Sequence, residues 1–327
     1  MDERRMEVTS FPTKYDWIVL DLVNFCYKTF PRERGELSQI SNKFVYSTAA
    51  ANAIRAVESL KEQYGTPDSK VVLLVDNYLS RADLSSAFAY ADRRNLLAEY
   101  KKVRKKEDKE FYNTVNLVRY YFLVSPGNYF SAKIEGLEAD DLLKPFLDYE
   151  RGTGSTLLVT SDLDWARYLS DDVHWLPSLK GTPETAKDLS VRIGFSVTEK
   201  NIVLYKAIFG DTSDNIKELL PLNQSNLENF KLFADECPYA EYATVLYRDP
   251  DWQKRWPSLL DLSDQEIQFR VNMQVVSTIP VARDVFKGSY TKSRESLTVY
   301  NKLRELLGLS TDKKSFVFGN VKRPRVE

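Results

Sequence analysis

Three short apolar runs, each with an acid at or just after its carboxyl end, limit what this chain can fold into. They are Trp17-Ile18-Val19-Leu20-Asp21-Leu22-Val23, Lys70-Val71-Val72-Leu73-Leu74-Val75-Asp76-Asn77 and Ser155-Thr156-Leu157-Leu158-Val159-Thr160-Ser161-Asp162-Leu163-Asp164-Trp165. Runs this short and continuous suit strands buried on both faces of a parallel sheet. Residues 42–64 place Phe44, Val45, Thr48, Ala49, Ala53, Val57 and Leu60 at helical spacing, and Tyr64–Asp68 closes them with turn chemistry. Strand, helix and strand at this length predict a βαβ unit, so the expected fold class is α/β, a central, mostly parallel sheet flanked by helices. Ligands of such sheets gather outside the carboxyl ends of the strands. A buried Asp in an apolar strand is costly unless paired or bound.

A denser acidic stretch lies between the second and third runs, at Glu135-Gly136-Leu137-Glu138-Ala139-Asp140-Asp141-Leu142-Leu143. Three carboxylates fall within four residues, flanked by apolar side chains rather than by Lys or Arg. Two readings are open for it alone: an acidic first helical turn favoured by the helix dipole, or oxygen ligands for a hard divalent cation. Pro145 predicts that the following helix is bent or short. Around this stretch, strands are expected at Tyr121–Val124 and Tyr129–Ile134, separated by a Pro126-Gly127-Asn128 turn, with a further short strand at Asp171–Leu176.

The region 80–120 differs in composition. Arg93, Arg94, Lys101, Lys102, Arg104, Lys105, Lys106 and Lys109 are interleaved with Tyr90, Tyr100, Phe111 and Tyr112. Charge runs are usually solvated helix faces, but Tyr100–Lys106 holds five bases and no acid, a segment suited to phosphate contact. After Pro183 the pattern is mostly helical. Asn201–Phe209 leads into Gly210-Asp211-Thr212-Ser213-Asp214-Asn215-Ile216, a polar loop with two acids, and Leu297–Leu307 is an amphipathic helix ended by Gly308. The predicted organisation is an α/β domain over 1–200, with a basic helical arch at 80–120, followed by a helical domain over 201–327 with a basic tail.

Bulk properties exclude several classes. A net charge of −1 means that any nucleic-acid contact must come from local patches. Two cysteines, Cys26 and Cys237, build no disulfide framework. A single histidine, His174, rules out His-based zinc sites and argues against a Ser-His-Asp triad. Met1–Lys14 has no apolar core of signal-peptide length, and no run approaches the ~20 residues of a membrane span, so a cytoplasmic location is expected. Asp21, Asp76, Glu138, Asp140, Asp141, Asp162 and Asp164 all fall at or just after predicted strand ends, and Asp211 and Asp214 join them if their loop folds over that edge. Bound divalent ions give such a collection its reason, and two-metal sites suit phosphodiester cleavage.

In order and spacing, Asp21…Asp76, Glu138-Ala139-Asp140-Asp141, Thr160-Ser161-Asp162-Leu163-Asp164 and Gly210-Asp211-Thr212-Ser213-Asp214-Asn215-Ile216 resemble the signature of the 5′ nuclease family, over about Asp21 to Ile216. Phe88-Ala89-Tyr90 and Tyr100-Lys101-Lys102-Val103-Arg104 look most like its T-even phage ribonuclease H branch. The resemblance implies a Mg²⁺-dependent flap endonuclease or 5′-to-3′ exonuclease, with Mn²⁺ as substitute, that removes RNA primers and 5′ flaps during replication. It also implies a monomer acting on DNA and RNA–DNA duplexes in the host cytoplasm if viral, with a single-strand-binding protein and a sliding clamp as partners. Ser315-Phe316-Val317-Phe318 is a candidate clamp peptide.

Carried over by position, Asp21, Asp76, Glu138 and Asp140 gather around a first metal with Asp141 beside it, while Asp162, Asp164, Asp211 and Asp214 hold a second. Lys28, Lys101 and Arg104 match bases near the scissile phosphate, and Asp141 is placed with that machinery. Arg93, Arg94, Lys102, Lys105, Lys106 and Asn215 match nucleic-acid contacts; Arg93 and Arg94 offer a competing register for Lys101 and Arg104. The Gly210–Ile216 loop would open a helix–turn–helix that grips the duplex. One departure stands out. Relatives follow the Asp-Asn pair with a glycine-rich hairpin, whereas Lys217–Asn223 contains no glycine, so neither a potassium site nor the usual backbone grip follows from the motif. A PIN-like single-strand ribonuclease and a non-catalytic replisome module are the alternative readings.

Overall fold

The computed structural model describes residues 14–29, 42–77, 93, 97, 109–237, 242–258 and 265–309. The first apolar run forms β1 (Tyr15–Asp21), which passes straight into α1 (Leu22–Thr29). Helix α2 (Asn42–Tyr64) and β2 (Gly65–Leu74) complete the expected βαβ unit, with β1 and β2 parallel. Then follow α3 (Lys109–Val124), β3 (Tyr129–Ala132), α4 (Ala139–Tyr149), β4 (Thr156–Val159), a 3-10 turn (Leu163–Tyr168) and β5 (Val173–Leu176). The remainder comprises α5 (Ala186–Ile193), α6 (Glu199–Phe209), α7 (Gln224–Glu236), α8 (Tyr242–Arg248), α9 (Pro250–Arg255), α10 (Glu266–Val276), α11 (Arg283–Ser289), β6 (Tyr290–Lys292) and α12 (Leu297–Leu306).

The strands make one six-stranded sheet in the order β5-β4-β1-β2-β3-β6, parallel except for β6, which pairs antiparallel with β3. Alternation along each strand divides the core. Ile18, Leu20, Val71, Leu73, Leu157 and Val159 face α1, α2 and α3, while Trp17, Val19, Val72, Leu74 and Leu158 face α4, the 3-10 turn and α11. Both faces are covered, as continuous apolar runs require. A separate apolar cluster, with Phe230, Phe233, Trp252, Trp256 and Phe269 among its members, holds α6 to α10 together.

One expectation is corrected. Tyr121–Val124 is the last turn of α3, not a strand: Phe111, Val115, Val118 and Phe122 repeat at four, three and four residues and are all buried. Tertiary packing on that face outweighs the strand preference of an aromatic and β-branched run. Pro145 lies inside α4, where it removes the N–H that would meet the Asp141 carbonyl, and α4 ends one turn later at Tyr149. The mostly helical stretch after Pro183 also contributes β6 to the sheet, and α12 packs its Tyr300 and Leu303 onto the α3 side of the core.

Parallel pairing fixes where the acids lie. Leu20 is level with Leu73 and Val159, so β1, β2 and β4 end together. Asp21, Asp76 and Asp162 therefore emerge at one edge of the sheet.

Candidate metal centre

The structure collects the acids at that edge into two groups. In each, three residues place a carboxylate oxygen within 4.8 Å of the others: Glu138, Asp140 and Asp141 in the first, and Asp164, Asp211 and Asp214 in the second. Such all-oxygen sets suit hard divalent cations, Mg²⁺ or Mn²⁺ before Zn²⁺. Asp21, Asp76 and Asp162 border these groups and are held by backbone amides. Asn24 N donates to Asp21 Oδ1 at 3.0 Å, Ala139 N to Asp76 Oδ1 at 2.7 Å, and Asp164 N to Asp162 Oδ1 at 3.0 Å. Each amide belongs to the first turn of a helix or 3-10 segment, where N–H groups lack intrahelical acceptors and favour an anion.

The first group opens α4. Glu138 is its N-cap residue, in extended conformation, and Asp140 and Asp141 occupy its first turn. Asp141 is 1% exposed. Its Oδ1 accepts from Arg93 Nη2 at 2.7 Å and Ile279 N at 3.0 Å; its Oδ2 accepts from Arg93 Nη1 and Glu138 N, both at 3.2 Å. Both oxygens are thus committed to protein donors. Asp141 thereby anchors the helix end, while its carboxylate still lies within the Glu138, Asp140 and Asp141 group. Arg93 is the donor that both oxygens share. Expected on a nucleic-acid surface, it is 3% exposed and also bonds Glu138 Oε2 at 3.1 Å and the Ser277 carbonyl at 3.0 Å.

The second group joins the 3-10 turn after β4 to the loop after α6. Gly210 makes the junction, with φ +76°; a Cβ there would lie 2.6 Å from Glu218 N and 2.7 Å from Ile216 O, so no larger residue fits. Asp211 and Ile216 then exchange backbone hydrogen bonds of 2.9 Å each, and Asn215 takes the left-handed conformation at φ +58° that Asn tolerates. The closed loop brings Asp211 and Asp214 over the sheet edge.

Two buried cations sit among these acids, and sequence reasoning missed both. Lys206 Nζ lies 2.7 Å from Asp164 Oδ1 and 2.7 Å from Asp211 Oδ2, and Arg167 pairs with Asp164 as well. Burial alone would raise the pKa of Asp164, but Lys206 and Arg167 outweigh it and hold the carboxyl below its ordinary range; Asp211 is lowered by the same contest with Lys206. Lys206 is conversely raised, since burial is overcome by Asp164, Asp162 and Asp211. All three are charged at neutral pH. One signal was available: Lys206 is a lone cation within the otherwise apolar run Ile202–Phe209. Arg167 carried none, because its partners come from three parts of the chain.

Lys28 lies beside the acids and donates to the Pro177 carbonyl at 2.9 Å. Burial lowers its pKa while Asp21 and Asp162 pull the other way. Arg94, Lys101, Lys102, Arg104, Lys105, Lys106 and Ser315–Phe318 lie outside the described residues.

No protein-family model matches this chain. A curated 5′-3′ exonuclease of Mycoplasmopsis pulmonis (strain UAB CTIP) is 26% identical over 140 residues, 42% of this chain and 45% of that protein, so the match spans less than half of the relative's length. Among solved structures, the T5 5′-exonuclease with bound zinc superposes with a TM-score of 0.57 at 16% identity, covering 90% of this chain and 98% of that one. The bacteriophage T5 D15 flap endonuclease in a product complex with DNA and metal ions gives 0.56 at 16% identity over 90% and 98%. Human GEN1 bound to Holliday junction DNA gives 0.53 at 10% identity over 91% and 68%. The fold is the one these nucleases share.

Proposed function

We propose, from the 5′ nuclease family that the matched relative and the shared fold support, that this chain is a divalent-metal-dependent nuclease cleaving phosphodiesters at 5′ flaps or ends. The observation that carries this reading is the pair of carboxylate groups at one sheet edge, linked through Arg167, which pairs with Asp164 and interacts electrostatically with Asp140. Glu138 and Asp140, with Asp21 and Asp76, would hold one ion; Asp162, Asp164, Asp211 and Asp214 would hold the other. Two such ions, when bound there, would supply water activation and charge stabilisation at the phosphate.

The chain's own groups do the rest. Backbone amides at Asn24, Ala139 and Asp164 fix the bordering carboxylates in place. Lys28, beside Asp21 and Asp162, would meet the scissile phosphate. Asn215 and the Gly210–Ile216 loop would contact the duplex backbone, and Lys101, Arg104, Arg94, Lys102, Lys105 and Lys106 would supply the phosphate-handling bases that the sequence motif implies. In this reading the substrates are flapped DNA and RNA–DNA duplexes, Mg²⁺ is the working ion, and the role is removal of primers and flaps in replication, including ribonuclease H activity. A single-strand-binding protein and a sliding clamp are the partners this role implies.

The test is a 5′-flapped duplex labelled at both ends, incubated with Mg²⁺ or with EDTA. Cleavage at the junction that depends on Mg²⁺ is the expected result. A flap left whole in Mg²⁺ and in Mn²⁺ sinks the reading.

A further inference from the structure

The last turn of α10 touches both acidic groups through two buried guanidinium groups. Arg167 Nη1 donates to the Val276 carbonyl at 3.0 Å while Nη2 pairs with Asp164. One residue on, Arg93 Nη2 donates to the Ser277 carbonyl at 3.0 Å while its fork grips Asp141 and Glu138. Ile279 N closes the set on Asp141 at 3.0 Å. A helix C-terminus carries carbonyls without intrahelical donors and a partial negative charge, so two cations there are favoured twice, by the helix end and by the acids. Leu97, whose N–H bonds the Arg93 carbonyl at 2.8 Å, packs beside the Val203, Ile216, Val275 and Val276 cluster. Arg93 is thereby held from two sides.

We propose that Arg93 is a positioning residue. It holds the N-terminus of α4 against the Ser277–Ile279 segment, so that Glu138 and Asp140 are presented to an ion, and it does not contact the nucleic acid. The inference rests on the metal-binding reading of Glu138 and Asp140 given above. Its chemistry follows from the fork: a planar guanidinium can span both oxygens of Asp141 and still reach Glu138 and a carbonyl, which a lysine ammonium cannot. Neutralising two carboxylates so close together also reduces their mutual repulsion, leaving Asp140 and the neighbouring strand-end acids to face the cleft.

The test compares Arg93→Met, Arg93→Lys, Asp141→Asn and the double variant Arg93→Met/Asp141→Asn. Mn²⁺ titration of the nucleic-acid-free protein is followed calorimetrically, flapped-duplex affinity is measured in Ca²⁺, and amide exchange is followed at Ile279. Arg93→Met is expected to weaken Mn²⁺ binding by about tenfold or more, the scale seen when a group that orients metal ligands is lost. Duplex affinity should stay within about twofold, Ile279 exchange should quicken, and Arg93→Lys should recover only part of the loss. In the Asp141→Asn background, removing Arg93 should add little, because the two residues act as one unit. Unchanged Mn²⁺ affinity with weakened duplex binding that adds to the Asp141→Asn effect would overturn the proposal and make Arg93 a phosphate contact. If the wild type binds no Mn²⁺, the metal reading fails, and Ile279 exchange in Arg93→Lys, which keeps the charge, still decides whether the fork anchors this segment; unchanged exchange there counts against it.

Discussion

Lys206 occupies a position that a divalent ion would also favour, between Asp164 and Asp211. Its side chain is 8% exposed and those of its partners 9% and 13%. Removing one member of so buried a set leaves the others uncompensated, at a cost of about 3–5 kcal/mol. Lys206→Met is therefore expected to melt well below the wild type in EDTA. It should then gain more from Mn²⁺ than the wild type does, because an ion replaces the missing charge and binding to the native state alone stabilises it by mass action. Melting curves in EDTA and in Mn²⁺ check both statements; an equal or smaller Mn²⁺ shift in the variant would show that lysine and ion do not share these carboxylates. The neighbouring Asp162→Asn change, which keeps shape and removes a charge, should abolish turnover while duplex binding persists. A near-wild-type rate would remove Asp162 from the metal set.

At the scale of elements, α10 is the strut on which the site depends. Asn272, in its middle, is fully buried and donates from Nδ2 to the Ala207 carbonyl of α6 at 2.9 Å and to the Lys217 carbonyl at 3.1 Å. One side chain thus satisfies the last turn of α6 and the segment leaving the Asp211–Asp214 loop. Asn272→Leu would bury two carbonyls that have lost this donor, at about 1–3 kcal/mol each. The expected result is a lower melting temperature with faster amide exchange over 211–217, while 15–21 keeps its protection; exchange rising equally in both segments would mean global destabilisation instead. The same element shows what was legible in the sequence. Asp21, Asp76 and the third run were readable because an acid closing a continuous apolar run is costly to bury unless a donor or an ion meets it. The anchoring of Asp141 was not legible, because its four donors, from residues 93, 138 and 279, meet it only after folding. The C-terminal turn of α3 was misread because Tyr121–Val124 has strand-like residues, while the helical repeat that overrides them begins ten residues earlier at Phe111, directly after the charged run Arg104–Glu110.

Across the whole molecule, the sheet ties distant segments together, and its far edge offers a separate test of the fold. His174 lies in β5, and its Nδ1 is 2.8 Å from the Tyr15 hydroxyl of β1. Its Nε2 is 3.1 Å from the Asp171 carbonyl, which can only accept. The neutral ring therefore carries its proton on Nε2 and takes the Tyr15 hydrogen on Nδ1. Burial lowers the pKa of His174; the Asp171 carbonyl and the nearby Asp172, Asp188 and Asp171 carboxylates oppose this without cancelling it. With the folded value below the unfolded value of about 6.5, the unfolded chain binds the proton first as pH falls. The contribution of the neutral ring is complete above that pH and is lost as pH drops through the folded value. His174 is the only histidine in the chain, so a comparison with a variant lacking it isolates the imidazole's share of the pH dependence. His174→Gln removes the titration and keeps a polar group. The stability gap between wild type and variant should be widest near about pH 7.5 and narrow by about pH 5, by about 1.4 kcal/mol for each unit of pKa depression. Denaturant titrations at the two pH values measure it. A gap that stays constant would mean that the ring is tolerated equally well in both charge states, and that the hydrogen bond joining β5 to β1 across the sheet does not select the neutral form.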